Sequence, residues 1–167
     1  MLEALANWLV GSDLSEFAGN RIWAIAVSQT FHILAVAVVM IAVASLNLRL
    51  LRIVSSDQSF AAMYASYKPW IWWSMLLLLV TGIFQIVAEP AREILSPAFQ
   101  TKVVLLLCVI GITYTYQKML RTDPNYWDGP AHRRLAVTLA SLSLIFWIGI
   151  VVTGRLIAYM GADSALF

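Results

Sequence analysis

Apolar residues fill this chain in four long blocks, and none of the blocks shows the strict alternation of a strand. An α-helix rises about 1.5 Å per residue, so about 20 apolar residues are needed to cross ~30 Å of hydrocarbon. Residues 22–46, 70–88, 97–119 and 135–160 meet that requirement. The first block is broken only by Ser28, Gln29, Thr30, His32 and Ser45. The third opens on Ser96 as an N-cap with Pro97 in the first helical position, where a missing N–H costs nothing. The fourth is entered through Gly129-Pro130. Between the blocks, Leu2, Leu5, Trp8 and Leu9 recur at helical spacing, as do Phe60, Met63, Tyr64 and Tyr67, which predicts interfacial helices over 2–10 and 59–67. The predicted fold is therefore all-α: an antiparallel bundle of four transmembrane helices with short interfacial helices, forming one membrane domain over 1–167.

Composition strengthens this reading. The chain is 61% hydrophobic and only 12% charged, against roughly half and a quarter in an average soluble domain. A soluble domain of this size lacks the interior to hide so much apolar surface. Trp23, Trp70, Trp72 and Trp73 fall at span ends, as belt residues do, whereas Trp147 falls near the middle of the fourth span. The one Cys excludes a disulfide scaffold, and eleven scattered basic residues are no nucleic-acid stripe. The expected partners are the lipid bilayer and either further copies of the chain or a larger membrane complex.

Charge sets the expected orientation. The loops after spans one and three carry Arg49, Arg52, Lys68, Lys118, Arg121, Arg133 and Arg134 against Asp57, Asp123 and Asp128. The opposite side carries Arg21, Arg92, Lys102 and Arg155 against Glu3, Asp13, Glu16, Glu89, Glu93 and Asp163. The positive-inside rule then places both termini in the periplasm of a bacterial inner membrane. A cleaved signal peptide is not expected, since Arg49 and Arg52 follow the first span instead of preceding it.

Catalytic signatures are few. There is no Gly-rich phosphate loop, no paired-Cys motif, no His-x-x-x-His pair and no nucleophile elbow, and no carboxylate lies inside a span. An autonomous enzyme is not expected, although a redox subunit remains open. His32 is the outstanding residue, two to four positions from the middle of span one, or about 3 to 6 Å by helical rise. Intramembrane ionisable residues are functional candidates by default, and a neutral imidazole can ligate a metal or haem iron. Ser28 and Gln29 share its helix face, so the three could equally tie two helices together. His132 precedes span four and differs from His32 in depth by at least ~12 Å. The two histidines thus cannot both ligate one haem: within one chain His32 would be opposed by water, Met or another weak ligand, or else by His32 of a second chain on a two-fold axis.

A second cluster follows from aligning the antiparallel spans by depth. Thr81 and Gln85, Lys102 and Arg155 fall in the same half of the membrane as Gln29, with Glu89 close by. Lys102 and Arg155 either snorkel to the interface or clamp an anionic group.

Gln29-Thr-Phe-His32, Asn47-Leu-Arg-Leu-Leu51, Lys68-Pro-Trp70, Thr81-Gly82, Phe99-Gln-Thr-Lys102 and Gly154-Arg-Leu-Ile-Ala-Tyr159 together resemble a family of bacterial four-span membrane proteins of unknown activity. The resemblance covers nearly the whole chain and implies fold and location. That family often has an acidic residue at the position of Gln29 and Asp at that of Asn47; here both side chains are neutral amides, which weakens any proton-carrying role at those two positions. A fainter likeness is to copper-resistance membrane proteins and four-helix b-type cytochromes. The functional expectation is a b-type haem or metal bound through His32 for membrane electron transfer. Gln29 would orient the imidazole, Trp147 would pack on the cofactor, and Gln85, Lys102 and Arg155 would receive its polar groups. The alternatives are a cofactor-free structural or assembly subunit and, third, a small transporter, which the lack of an inverted repeat disfavours.

Overall fold

The computed structural model describes residues 2–54 and 57–163. The side chains of Leu2, Leu5, Arg92, Tyr159 and Asp163, which enter the stripe, charge and motif readings above, lie outside what it describes. Helices α1 (Leu2–Val10), α2 (Asp13–Gly19) and α5 (Pro90–Ile94) are short, whereas α3 (Ile22–Leu50), α4 (Phe60–Ala88), α6 (Pro97–Thr122) and α7 (Arg133–Asp163) are long. Each long helix is long and apolar enough to cross a membrane. The described residues contain no strand. The fold is thus the all-α, four-span bundle that the apolar blocks predict.

Helices α3 and α4 form one tight antiparallel hairpin, α6 and α7 a second, and α3 packs on α7 to join them. α4 and α6 stand farther apart, bridged by long side chains such as Tyr64, whose hydroxyl donates to Gln117 Oε1 at 3.4 Å. The α3–α4 and α6–α7 connections lie together at one end, here called the basic end. The short helices gather at the other, the terminal end: α1 packs on α5 and α2 on α4. Gly19 eases the close approach there: a Cβ would sit 3.3 Å from the Ala88 carbonyl oxygen, and the backbone would have to give by a few tenths of an ångström.

A polar tie fixes the register of three spans. Asn47 is wholly buried; its Nδ2 donates to Ser143 Oγ at 2.9 Å, and its Oδ1 accepts from the Tyr116 hydroxyl at 3.1 Å. Inside a membrane such a tie specifies which helix faces meet, because apolar contacts with lipid and with neighbouring helices are nearly equivalent. Around it lies the main core, from Val39, Val43 and Leu46 to Phe60, Tyr116, Trp127 and Trp147.

Helix ends at the basic end are closed by side chains from distant segments. α3 finishes in a Schellman motif, with the Ile53 N–H bonded to the Leu48 carbonyl at 2.9 Å and that of Arg52 to the Arg49 carbonyl at 2.9 Å. Arg52 has φ of 62°, the left-handed region that glycine fills without penalty and other residues at about 1 to 2 kcal/mol. Arg133 donates to the carbonyls of Leu50 and Leu51. Asp128 accepts from the Phe60 N–H at 3.0 Å, the first turn of α4, and from Arg49 Nη2 at 2.8 Å.

One element boundary differs from the sequence reading, and one predicted cap lacks its bond. The predicted interfacial helix 59–67 and span 70–88 are one continuous helix, with Pro69 inside it. Proline removes the N–H that would reach the Ala65 carbonyl, but both residues are exposed near the membrane boundary, where water can satisfy that oxygen. Ser96 is the N-cap of α6, as predicted, yet its hydroxyl makes no cap bond and is buried without a partner among the described residues.

Candidate functional site

His32 meets α4 in the terminal half of the bundle. Its Nδ1 lies 2.8 Å from Thr81 Oγ1, and Thr81 is buried, with Oγ1 also 2.7 Å from the Leu77 carbonyl oxygen. A threonine hydroxyl has one proton. When that proton goes to the Leu77 carbonyl, Thr81 Oγ1 accepts from His32 Nδ1–H; when it goes to Nδ1, the ring is the other tautomer. The first arrangement leaves the lone pair on Nε2. Ser28 Oγ approaches the Thr81 carbonyl at 3.5 Å on the same helix pair. Thr81 therefore orients His32, whereas Gln29 is exposed on the outer side of α3.

Small residues leave room beside these groups. A Cβ on Gly82 would come 3.8 Å from His32 Cε1, and one on Gly154 would come 3.8 Å from Lys102 Nζ. The Lys102 side chain thus lies against α7, half-buried, with its ammonium near enough to act electrostatically on both His32 and Glu93. Gln85 is one turn beyond Thr81 on the same face of α4. Its Nε2 is buried with no partner among the described residues. Arg155, next to Gly154, is exposed.

Register places the other candidates. From the Asn47, Ser143 and Tyr116 tie, His32 and Lys102 are fifteen and fourteen residues away towards the terminal end, both about 21 to 22 Å by helical rise. Arg155 is twelve residues from the tie, about 18 Å. Trp147 is only four residues from Ser143, about 6 Å, and belongs to the core of the basic half. The structure therefore brings His32, Thr81 and Lys102 to one level, with Gln85 one turn beyond, and leaves Trp147 about three helical turns away from His32. The Trp147 indole N–H is buried with no partner among the described residues. His132 stacks on Tyr126 at the basic end, ring centroids 3.8 Å apart. No group of three His, Cys, Asp or Glu side chains comes together among the described residues.

The chain belongs to the family of unknown function DUF6644, which matches it over residues 12–160. No curated protein and no solved structure matches it. The whole-chain resemblance to a four-span family is thereby established, while the fainter likeness to copper-resistance and b-type cytochrome proteins finds no matching relative. Membership agrees with the four apolar helices: this is a multi-pass membrane protein.

Proposed function

We propose that the protein is a bacterial inner-membrane electron-transfer protein that holds a b-type haem through Nε2 of His32. The observation that carries this reading is the bond chain from His32 through Thr81 to the Leu77 carbonyl. Ligating histidines ordinarily donate their other ring N–H to a fixed acceptor, which sets tautomer and orientation. The donor set fits a group that needs one imidazole and gains the rest of its affinity from apolar walls and from donors to its carboxylates. It does not fit an isolated metal ion, which needs three or four protein ligands. The bound group would supply one-electron transfer. The chain's own residues would hold it: Thr81 keeps the imidazole aligned, Lys102 pairs with a carboxylate, and the buried Gln85 Nε2 donates to an acceptor. His132 lies at the opposite end, so a second imidazole would come from His32 of another copy across a two-fold axis. Gln29, exposed beside His32, would face that copy.

A cofactor-free structural or assembly subunit is the second reading. It is favoured by the Asn47 tie, which uses the same kind of interhelical bond with no ligand in view. The visible spectrum of the purified protein separates the two. A Soret band with redox-sensitive α and β bands is expected, abolished in His32→Ala, reduced in Thr81→Val and Lys102→Ala, and unchanged in the outward-facing control Leu79→Ala. A colourless wild-type protein, or a band that survives His32→Ala, overturns the haem reading.

The charge bias supports periplasmic termini. In a Cys108→Ala background, a cysteine at Ser12 is expected to react with an impermeant thiol reagent in intact spheroplasts, and one at Asn125 only after lysis. The reverse pattern would invert the topology.

A further inference from the structure

The basic end contains a polar cleft of about 500 Å³, lined by Arg49, Arg52, Gln58, Ser59, Asp128 and Arg133 among others. That is within the range of small-molecule sites. Two of its guanidinium groups are held rigidly. Arg49 Nε donates to the Gln58 carbonyl at 2.6 Å and its Nη2 to Asp128, while Arg133 donates to the carbonyls that end α3. Each guanidinium has five N–H donors, so both keep further donors beyond these bonds. The third, Arg52, is exposed and has no ion-pair partner among the described residues. It also occupies the left-handed C′ position that glycine would fill without strain. A strained arginine at the rim of a cleft, beside two immobilised ones, is explained if its side chain has a ligand.

Acidic groups do not cancel this field. Asp128 is already matched by Arg49 and the Phe60 N–H, which leaves Asp57, an exposed carboxylate, against Arg52 and Arg133. The two residues after Arg52, Ile53 and Val54, are apolar and exposed at the end of a membrane span. That pairing of greasy surface and guanidinium groups suits a molecule with an anionic head and an acyl tail.

We infer that this cleft is a binding site for a phosphate-bearing anion, supplied by the headgroup of an anionic phospholipid at the membrane boundary. Planar guanidinium groups match phosphate oxygens in pairs, which ammonium groups do not. The inference is independent of His32, because the two sites are at opposite ends of the bundle.

The test is native mass spectrometry of the full-length protein in detergent, titrated with phosphatidylglycerol or with phosphatidylcholine of the same acyl chains. Phosphatidylglycerol is expected to bind more tightly than phosphatidylcholine, and Arg52→Gln to weaken it by about tenfold, the effect of one lost charge-assisted bond. Lys118→Gln, at the same end but outside the cleft, is expected to change nothing. Arg52→Gly decides between side chain and backbone, because it relieves the strain yet removes the charge, and it is expected to bind as weakly as Arg52→Gln. Phosphatidylglycerol that survives excess inorganic phosphate supports the lipid source; displacement by phosphate keeps the anion site but overturns that source. Equal affinity for the two lipids, or unchanged affinity in both Arg52 variants, overturns the site itself.

Discussion

Asp128→Ala is expected to lower stability by about 2 to 3 kcal/mol, one of the two largest losses any single substitution in the chain should produce. The carboxylate serves two partners at once. One oxygen pairs with Arg49 Nη2 at 2.8 Å and the other accepts the first N–H of α4. The Arg49 side chain is 9% exposed, so removing its partner strands a charge that water reaches poorly, which costs about 3 to 5 kcal/mol for a fully buried pair. Asp128 is more open, at 24%, and that brings the figure down; loss of the α4 cap adds back about 1 kcal/mol. Asp128→Asn keeps an acceptor and should lose about half as much. Thermal denaturation in one detergent checks the pair of variants. A melting temperature unchanged in Asp128→Ala would show that the ion pair is not buried in the folded protein.

The residues of this junction are also those least legible in the sequence. Arg49 is in the last turn of α3 and Asp128 on the α6–α7 connection, 79 residues apart, and charge counting used them only to choose an orientation. By contrast, the four spans were legible because a run of 20 apolar residues has one physical solution in lipid. The reading split 59–67 from 70–88, yet the helix runs on through Pro69, because the freed Ala65 carbonyl is exposed. The short helices α2 and α5 have too few residues to show a period.

The candidate site was half legible for a related reason. Depth follows from counting residues, and counting put Thr81, Gln85, Lys102 and Arg155 in the same half of the membrane as Gln29, with His32 near the middle. Azimuth does not follow from counting when all faces of a helix are apolar. The sequence reading therefore chose Gln29 to orient His32, and packing puts Thr81 there instead. The Thr81-Gly82 pair carried the usable signal: a hydroxyl beside a residue with no side chain marks a place where another helix comes close. Trp147 shows the same limit, since its mid-span position said nothing about the roughly three turns between it and His32.

Phe60→Ala is the other large expected loss, about 3 kcal/mol or somewhat more. Phe60 is fully buried at the start of α4 and touches the rings of Tyr64, Tyr116 and Trp127, with centroids 5.6 to 6.3 Å away. Truncation leaves a cavity that the fixed neighbours cannot close, because Tyr116 is tied to Asn47 and the Trp127 indole to the Tyr116 carbonyl at 3.4 Å. The consequence reaches the functional reading. The main core lies in the basic half, whereas the terminal half holds the Gln85 Nε2, without a partner among the described residues, and Gly82 and Gly154, where a methyl group would just make contact. Stability and site are thus separated along the bundle axis, so local opening at the terminal end need not unfold the rest. Phe60→Ala should therefore lower the melting temperature while leaving haem occupancy per folded molecule unchanged, and Lys102→Ala should do the reverse. A Phe60→Ala protein that remains folded but loses occupancy in step with stability would mean that the two halves are coupled and that the site depends on the basic-end core.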